Sequence, residues 1–246
     1  MTPVDGALLV GAGLVAGVVN SLAGGGSLLT LSLLVLLGLP GILANGTNRV
    51  GVLLQNAAAA WRFRAEGVPG VAHALPLLVP VLLGSAAGAW GISQVADETF
   101  ERLFGVLMVV LLVPILRRAQ PGTAPRARSW SGATRFAVFL GIGLYGGSFQ
   151  AGVGIPLLFA LAWAGHDLVQ ANSIKVVVIF AVTAVAIPVF AFQGQIAWGP
   201  AAALALGFSA GGELGARLAV RGGERVIRPV LAAAVLALAG RMLGLY

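Results

Sequence analysis

The chain has 246 residues, of which 59% are hydrophobic and 9% charged, and its mean hydropathy is +0.98. An ordinary soluble domain is about 25% charged, so a soluble chain of this composition would lack the polar residues needed to cover its surface. The composition therefore predicts an all-α polytopic membrane protein. There is no cysteine and there are two histidines, which excludes disulfides and thiolate metal sites, and we expect no cofactor.

The net charge of +7 comes from arginines that lie between apolar runs. This distribution favours the positive-inside bias of membrane loops over nucleic-acid binding. The N-terminus lacks the basic region of a cleavable signal peptide, so we expect the first apolar segment to be retained. The predicted surroundings of the chain are a lipid bilayer, with no nucleic-acid partner.

Ten apolar segments follow one another along the sequence. They cover residues 4–23, 27–39, 42–61, 70–92, 99–116, 134–150, 154–165, 169–192, 198–217 and 226–244. A full crossing needs about 20 residues. The third, fourth, fifth, eighth, ninth and tenth segments qualify or nearly so, whereas the second and seventh span about half a bilayer each.

Three pairs of matching stretches divide the chain into two halves. They are Ala23 to Gly26 with Ala151 to Gly154, Gly38 to Asn48 with Gly165 to Lys175, and Ser85 to Gly88 with Ser209 to Gly212. All three keep the same order at offsets of 124 to 128 residues, which argues for a duplicated unit of about 120 residues. The predicted units are a first transmembrane repeat at 1–118, a basic cytoplasmic linker at 119–133 and a second transmembrane repeat at 134–246.

Loop charge predicts that the two repeats have opposite orientations. The loop at 62–68 is basic and should be cytoplasmic, whereas its repeat partner at 193–197 is uncharged and should be outside. The acidic loop at 93–98 should be outside, and its basic partner at 217–225 should be inside. The sequence therefore predicts two inverted-topology repeats, as found in secondary transporters.

An inverted arrangement constrains the two segments that open each half. Antiparallel halves require an even number of crossings, or none, from each opening pair. A re-entrant hairpin of two half-helices satisfies this condition, and two short tilted crossings satisfy it as well. We therefore predict that each repeat opens with a broken or re-entrant helical hairpin, which three transmembrane helices follow.

The glycine-rich breaks are the first candidates for a binding site. A glycine in a helix costs roughly 1 kcal/mol relative to alanine, and irregular backbone in a bilayer is tolerated only where it is buried in protein or lines a cavity. Helices that restart after such breaks present free N–H groups that bind anions; close helix packing is the alternative explanation. The predicted substrate-binding residues at the breaks are Gly24, Gly25, Gly26, Ser27, Gly152 and Gly154.

Polar side chains near the breaks complete the predicted site. Asn48 and Lys175 occupy matching positions, roughly 9–10 Å inside opposite faces, and charged groups at such depth are usually functional. For Lys175 and Arg49 the alternative is snorkelling to the interface. Amides could orient a ligand or satisfy backbone groups freed by the glycines. The predicted substrate-binding residues of this group are Asn20, Asn45, Asn48, Arg49, Gln150, Asn172 and Lys175, with Gln55 and Asn56 as weaker candidates.

The remaining polar residues are assigned no part in the site. Glu213 and Arg217 stand four residues apart in the ninth segment, which favours an interfacial salt bridge over proton coupling. His73 and His166 have no acidic or histidine neighbour at ligand spacing in the sequence. Because no nucleophile elbow, zinc motif or phosphate loop occurs, we do not expect an enzyme.

Five stretches of the chain match the pattern of a known family. They are Gly17 to Ser27, Leu39-Pro40, Ala44 to Arg49, Gly152 to Pro156 and Ala171 to Lys175. On these stretches the sequence resembles the TauE/SafE family, also called the sulfite exporter or toluene sulfonate uptake permease family. The resemblance spans essentially the whole chain, including the duplication, and implies a permease of the bacterial cytoplasmic membrane for sulfite, sulfonates or related sulfur-containing organic anions. Val153 stands where the first break has Gly25, so the two hairpins need not be equivalent.

The leading hypothesis is a secondary transporter that moves a small anion by alternating access. A passive channel for a small neutral or anionic solute would use the same hairpins, but its flux would not saturate. In a non-transporting scaffold, Lys175→Met would leave uptake and ligand-induced stabilisation unchanged, whereas the leading hypothesis predicts loss of anion binding. The sequence leaves open the cargo, its direction, a proton or sodium coupling ion, and the oligomeric state.

Overall fold

The computed structural model of the protein describes residues 2–100 and 130–223, together with 102, 103, 106, 225, 226 and 229. Within these residues all regular structure is helical, which confirms the predicted all-α class. The helices are α1 (Pro3–Leu22), α2 (Ser27–Leu36), α3 (Gly41–Ala65), α4 (Val71–Ser93), α5 (Gly132–Ser148), α6 (Gly154–Trp163), α7 (Leu168–Phe192) and α8 (Trp198–Gly222). Most of the predicted segments 99–116 and 226–244, and of the linker, lies outside the described residues.

Helix lengths fit a membrane protein with two half-length helices. In the described part of the chain, α1, α4 and α7 are long and apolar enough to cross a membrane. Helices α3 and α8 have 25 residues each, which corresponds to about 37 Å. By contrast, α2 and α6 have 10 residues each, or about 15 Å. The fold is that of a polytopic membrane protein.

Local sequence sets several of the helix ends. Thr2 and Asp5 form a capping box at the start of α1, and the Asp167 carboxylate accepts hydrogen bonds from two backbone N–H groups at the start of α7. These side chains satisfy amides that have no partner within the helix. Asp167 thereby sets the start of α7, the helix that carries Asn172 and Lys175.

Glycine contacts show the directions of the outer helix pairs. The pairs of residues in contact are Val10 with Gly207, Val18 with Gly215, Val81 with Gly143, and Ser85 with Gly147. Residue numbers rise together in each pair of helices, so α1 runs parallel to α8 and α4 runs parallel to α5. A Cβ on Gly207 would lie 2.0 Å from the Val10 carbonyl oxygen, which explains why small residues occupy this interface.

The two central helices, α3 and α7, run in opposite directions. The Arg49 guanidinium, early in α3, lies over the ring of Phe190 near the end of α7. Just beyond the other end of α3, the Val68 carbonyl accepts a hydrogen bond from Ser173, early in α7. Helix α3 is also parallel to α8, since Gly51 packs on Phe208 and Gln55 packs on Gly212.

Helix α4 is parallel to α7, because Gly70 packs on Ser173 and the Ser85 hydroxyl donates to the Val182 carbonyl. Helices α1, α3 and α8 therefore share one direction, and α4, α5 and α7 share the other. The helices α1, α3 and α4 are thus each antiparallel to their counterparts α5, α7 and α8. An inverted duplication requires this arrangement.

The opening hairpin of the chain returns to the face from which it enters. Helices α1 and α3 begin on the same face, since both run parallel to α8. Between them, α2 starts beside the end of α1, where the Ser27 amide donates to Asn20 at 3.1 Å. It then runs back along α3, where Thr30 donates to Asn48 at 2.7 Å. This return satisfies the parity that an inverted arrangement requires. With α1 at 20 residues and α2 at 10, the re-entrant form and two crossings both remain predictions.

Candidate functional site

The two helix breaks touch each other at the interface between the halves. A Cβ on Gly24 would lie 2.4 Å from the Cα of Gly154, a separation that real Cβ atoms do not show. Gly24 also has a φ of +86° and Gly152 a φ of +76°, values that favour glycine. The breaks are therefore packed backbone against backbone, and glycine is required at this contact.

A small cavity lined by polar and apolar side chains lies between the breaks. Its polar lining consists of Asn20, Ser27, Gln55, Asn56 and Gln150. The space open to the centre of a water molecule is about 10 Å³, which is room for about one water. The cavity therefore presents amide and hydroxyl groups but does not have the volume for a solute of several atoms in this conformation.

Gln150 is the most strained residue of the cavity. Its φ is +58°, the one positive value recorded for a non-glycine residue in the described part of the chain. The side-chain amide donates to the Thr183 hydroxyl at 2.9 Å, and the buried Oε1 atom has no hydrogen-bond partner. Such strain persists only where the surroundings enforce it, and it concentrates at functional sites.

The buried Arg49 binds the end of α5. Its guanidinium donates to the carbonyl oxygens of Gly146 at 3.0 Å, Gly147 at 2.6 Å and Ser148 at 3.0 Å. The last carbonyls of a helix have no partner within it and carry the negative end of its dipole. Asn45 adds a hydrogen bond to the Ser148 carbonyl at 2.8 Å, so two side chains of α3 complete the end of α5.

The buried Lys175 binds the end of α1 in the same way. Its ammonium donates to the Asn20 carbonyl at 2.7 Å, to the Ser21 carbonyl at 3.1 Å and to Asn172 Oδ1 at 2.5 Å. The Asn172 amide in turn donates to the Leu22 carbonyl at 3.2 Å. Two side chains of α7 thus complete the end of α1, as two of α3 complete the end of α5.

These two cations have no buried counter-ion among the described residues. Arg49 and Lys175 are fully buried, whereas each described Asp or Glu is at least partly exposed. The helix-end dipoles offset part of the charge. Arg49 and Lys175 are therefore held by main-chain and amide oxygens rather than by carboxylates.

The predicted site residues fall into three groups. Those that line the cavity are Asn20, Gly24, Ser27 and Gln150. Gly25, Gly26, Gly152 and Gly154 form or flank the breaks, and the residues that hold the hairpins are Asn45, Asn48, Arg49, Asn172 and Lys175. Contact with a substrate remains a prediction for all of them.

Gln55 and Asn56 line the cavity although the sequence marks them only as weaker candidates. Gln55 Oε1 accepts from Asn20 at 3.5 Å and from Asn56 at 3.4 Å, and its amide donates to the Ser21 hydroxyl at 3.1 Å. With Asn48 they follow an i, i+7, i+8 spacing on one face of α3. This helical spacing is the sequence signal that could have placed Gln55 and Asn56 among the main site candidates.

Two expectations about charged and titratable residues need correction or extension. Among the described residues, Glu213 pairs with Arg62 of the neighbouring helix α3 at 3.9 Å, not with Arg217 of its own helix.

His73 and His166 lie with ring centroids 5.5 Å apart. Burial, followed by the charge of His73, lowers the pKa of His166. No cluster of three or more potential metal ligands occurs among the described residues.

Broken helices that meet around a polar cavity within a helical membrane bundle define a class of membrane transporters. The family model described as "Sulfite exporter TauE/SafE" matches residues 9–242, and the chain belongs to this family. It is a multi-pass protein of the bacterial cytoplasmic membrane. No solved structure matches the chain.

Curated relatives carry transporter names. A "Probable membrane transporter protein ORF9" of Sinorhizobium sp. is 26% identical over 96% of this chain and 92% of its own length. A "Probable membrane transporter protein" of Haemophilus influenzae is 27% identical over 92% and 89%. YfcA of Escherichia coli K12, of the same description, is 25% identical over 89% and 82%. These names indicate a membrane transporter rather than an enzyme.

Proposed function

We propose that the protein is a secondary transporter that moves a small anion, namely sulfite, a sulfonate or a related sulfur-containing organic anion, by alternating access. The family description and the names of the relatives support the transport part of this proposal. In the proposed mechanism the two halves are inverted copies that rock against each other. The opposite directions of α3 and α7 support this motion.

The preference for an anion rests on the buried charge. Two fully buried cations, Arg49 and Lys175, lie behind the cavity, and no described acid is buried with them. Electrostatic interactions are strong where the effective dielectric constant is low. An anion in the cavity would neutralise part of this charge, whereas a cation would add to it.

Amide groups would orient the oxygens of the anion. The candidate donors are the side-chain amides of Asn20, Asn56 and Gln150, which line the cavity. Asn20 and Gln150 each donate one hydrogen bond, whereas Asn56 donates to the Val52 carbonyl and, at 3.4 Å, to Gln55 Oε1, and would exchange the longer bond for the ligand. The Asn20 amide bonds to Gln55 at 3.5 Å, the outer limit of a hydrogen bond, so exchange of this contact for a ligand oxygen is inexpensive. Arg49 and Lys175, which bind the ends of α5 and α1, would balance the negative charge of the anion.

The small volume of the cavity indicates an occluded conformation. Room for about one water is too little for a sulfonate, so cargo would enter only after the breaks separate. The contact of Gly24 with Gly154 would then be made and broken in each cycle. A passive channel would instead need a continuous open path.

The proposal is tested by thermal unfolding of the purified protein with sulfite, sulfate, thiosulfate, taurine and sulfoacetate. We expect at least one anion to stabilise the wild type, because a ligand that binds only the folded state raises its stability. Asn56→Leu should abolish this stabilisation by removing an amide donor from the cavity. Gln193→Ala, which removes an exposed amide at the end of α7, is the matched control and should retain it.

Uptake into proteoliposomes separates the transporter from the channel. We expect saturable uptake of the stabilising anion and accelerated exchange when the same anion is present inside. Uptake that rises linearly with concentration would support the channel instead. Stabilisation only by neutral solutes or cations would contradict the anion proposal.

A further inference from the structure

A basic side chain of the protein binds the C-terminal end of each broken helix. In transporters built from broken helices, the C-terminal ends of half-helices and unwound carbonyls coordinate the coupling sodium ion or proton. Here the Lys175 ammonium lies among oxygens at the end of α1, and the Arg49 guanidinium lies among carbonyl oxygens at the end of α5. Both positions suited to a coupling cation are therefore occupied.

We infer that the Lys175 ammonium takes the place of a coupling cation, so that the cargo moves without a bound sodium ion. This inference rests on the proposed function and concerns its driving force. It assigns Lys175 as a positioning residue, which holds the α1 end that contributes Asn20 to the cavity.

The oxygen cage around Lys175 supports the inference. Its three oxygens lie at 2.5, 2.7 and 3.1 Å from Nζ, and an ammonium has three N–H donors, so each donor has an acceptor. The oxygens are two main-chain carbonyls, of Asn20 and Ser21, and the side-chain carbonyl of Asn172. Carbonyl oxygens are also ligands of small hard cations.

The origin of the cage residues indicates what the cation does. Asn20 and Ser21 belong to α1, in the first half of the chain, whereas Asn172 and Lys175 belong to α7, in the second half. A sodium ion at this point would join the halves only while bound. A tethered ammonium is available to join them with or without cargo, because it cannot leave the chain.

At the end of α5 a cation also binds helix-end carbonyls, but a sodium ion could replace this cation less easily than it could replace the Lys175 ammonium. The Arg49 fork contacts three successive carbonyls, of Gly146, Gly147 and Ser148, and its guanidinium carbon lies 4.5 Å from the centroid of the Phe190 ring. An apolar ring on one side makes this end unsuited to a hydrated ion. A variant that leaves an oxygen-lined space for sodium is therefore best made at Lys175.

The first test compares the melting temperatures of variants in sodium chloride and in choline chloride at equal ionic strength, without cargo. We expect no sodium-specific shift for the wild type. Lys175→Ala should melt lower in choline and recover part of the loss in sodium, because it leaves an empty oxygen cage. Lys175→Met, whose side chain fills that space without a charge, is the matched control and should show no recovery.

The second test needs no variant. Uptake of the stabilising anion into proteoliposomes should be the same with an inward sodium gradient as with choline, and isothermal titration of the wild type with sodium chloride should give no saturable heat. Uptake stimulated several-fold by sodium would overturn the inference, and so would a folded Lys175→Ala protein that is indifferent to sodium. Failure of every anion to stabilise the wild type would instead sink the proposed function, while the sodium comparison still reports on the cage.

Discussion

The two broken hairpins solve the same structural problem with different residues. The first break is a run of three glycines, and Gly24 takes the left-handed conformation with a φ of +86°. The second break has Gly152 at +76° and also places Gln150 at +58°. Only the second hairpin therefore carries backbone strain on a residue with a side chain, and that side chain faces the cavity.

The side chains that bind the end of each broken helix also differ between the two hairpins. Asn45 and Asn172 stand at matching positions, and each donates to a carbonyl at the end of the broken helix of the other half. The cations do not match, since Lys175 aligns with Asn48 and Arg49 stands one position further along. The comparison teaches that each of the two broken helices, α1 and α5, has a positive charge at its C-terminal end, supplied by a different residue type at a different position.

The test with the largest expected effect removes Arg49, the cation that binds the end of α5 in the second hairpin. Arg49→Met leaves three buried carbonyls without their charged donor. Hydrogen bonds to charged groups contribute about 1.5–3 kcal/mol each, so we expect a loss of about 4 kcal/mol or more. Thermal unfolding in detergent, with size-exclusion chromatography to detect misfolding, measures this loss.

Two further variants make this result interpretable. Arg64→Met removes an exposed arginine of the same helix and should change stability by less than about 0.5 kcal/mol. Arg49→Lys keeps the charge but loses the planar fork, and should fall between the two. If Arg49→Met were as stable as Arg64→Met, the helix ends would not need their cations.

The second test compares the left-handed glycines of the two breaks. Gly24→Ala and Gly152→Ala both force alanine into a left-handed conformation, which costs about 1–2 kcal/mol. Only Gly24 would also meet backbone, at 2.4 Å from Gly154, whereas the nearest atom to a Cβ on Gly152 is at 3.6 Å. We expect Gly24→Ala to lose about 1–3 kcal/mol more. Equal melting temperatures for the two variants would mean that the breaks do not pack as described.

The third test asks whether the strain at Gln150 serves binding. Gln150→Gly relieves a strained φ, worth about 1–3 kcal/mol, and loses the bond to Thr183, worth about 1 kcal/mol. The free energy of unfolding should therefore stay the same or rise by up to about 2 kcal/mol, while anion-induced stabilisation is lost. Thr183→Val, which removes the same bond without altering the backbone, should lower stability and retain anion binding. Retained binding in Gln150→Gly would assign the residue a purely structural role.

The sequence predicts the helices and breaks well because their signals are local. Apolar runs and glycine clusters locate the described helices to within a few residues, as at α2, predicted at 27–39 and observed at Ser27–Leu36. The partners of Arg49 and Lys175 have no such signal. Lys175 binds the Asn20 carbonyl across 155 residues of chain, and a main-chain carbonyl leaves no trace in the amino-acid pattern. Only the packing of the two halves reveals it.

The smallest expected effect concerns Glu213, where local reasoning is wrong. An i, i+4 spacing predicts a pair with Arg217, but α8 lies against α3 and Glu213 approaches Arg62 at 3.9 Å, with 47% of its side chain exposed. Exposed ion pairs at such distances contribute little, so Glu213→Gln should lower stability by less than about 0.5 kcal/mol.

Glu66→Gln is the informative partner of this variant. Glu66 lies 2.5 Å from Arg62 and 3.9 Å from Arg221, and 20% of its side chain is exposed, so its loss should cost about 0.5–1 kcal/mol. Raising the salt concentration should reduce this difference by screening, but should not reduce the loss in Arg49→Met, because buried interactions are screened much less. Equal salt dependence of the two variants would show that the cation at the end of α5 is accessible to solvent.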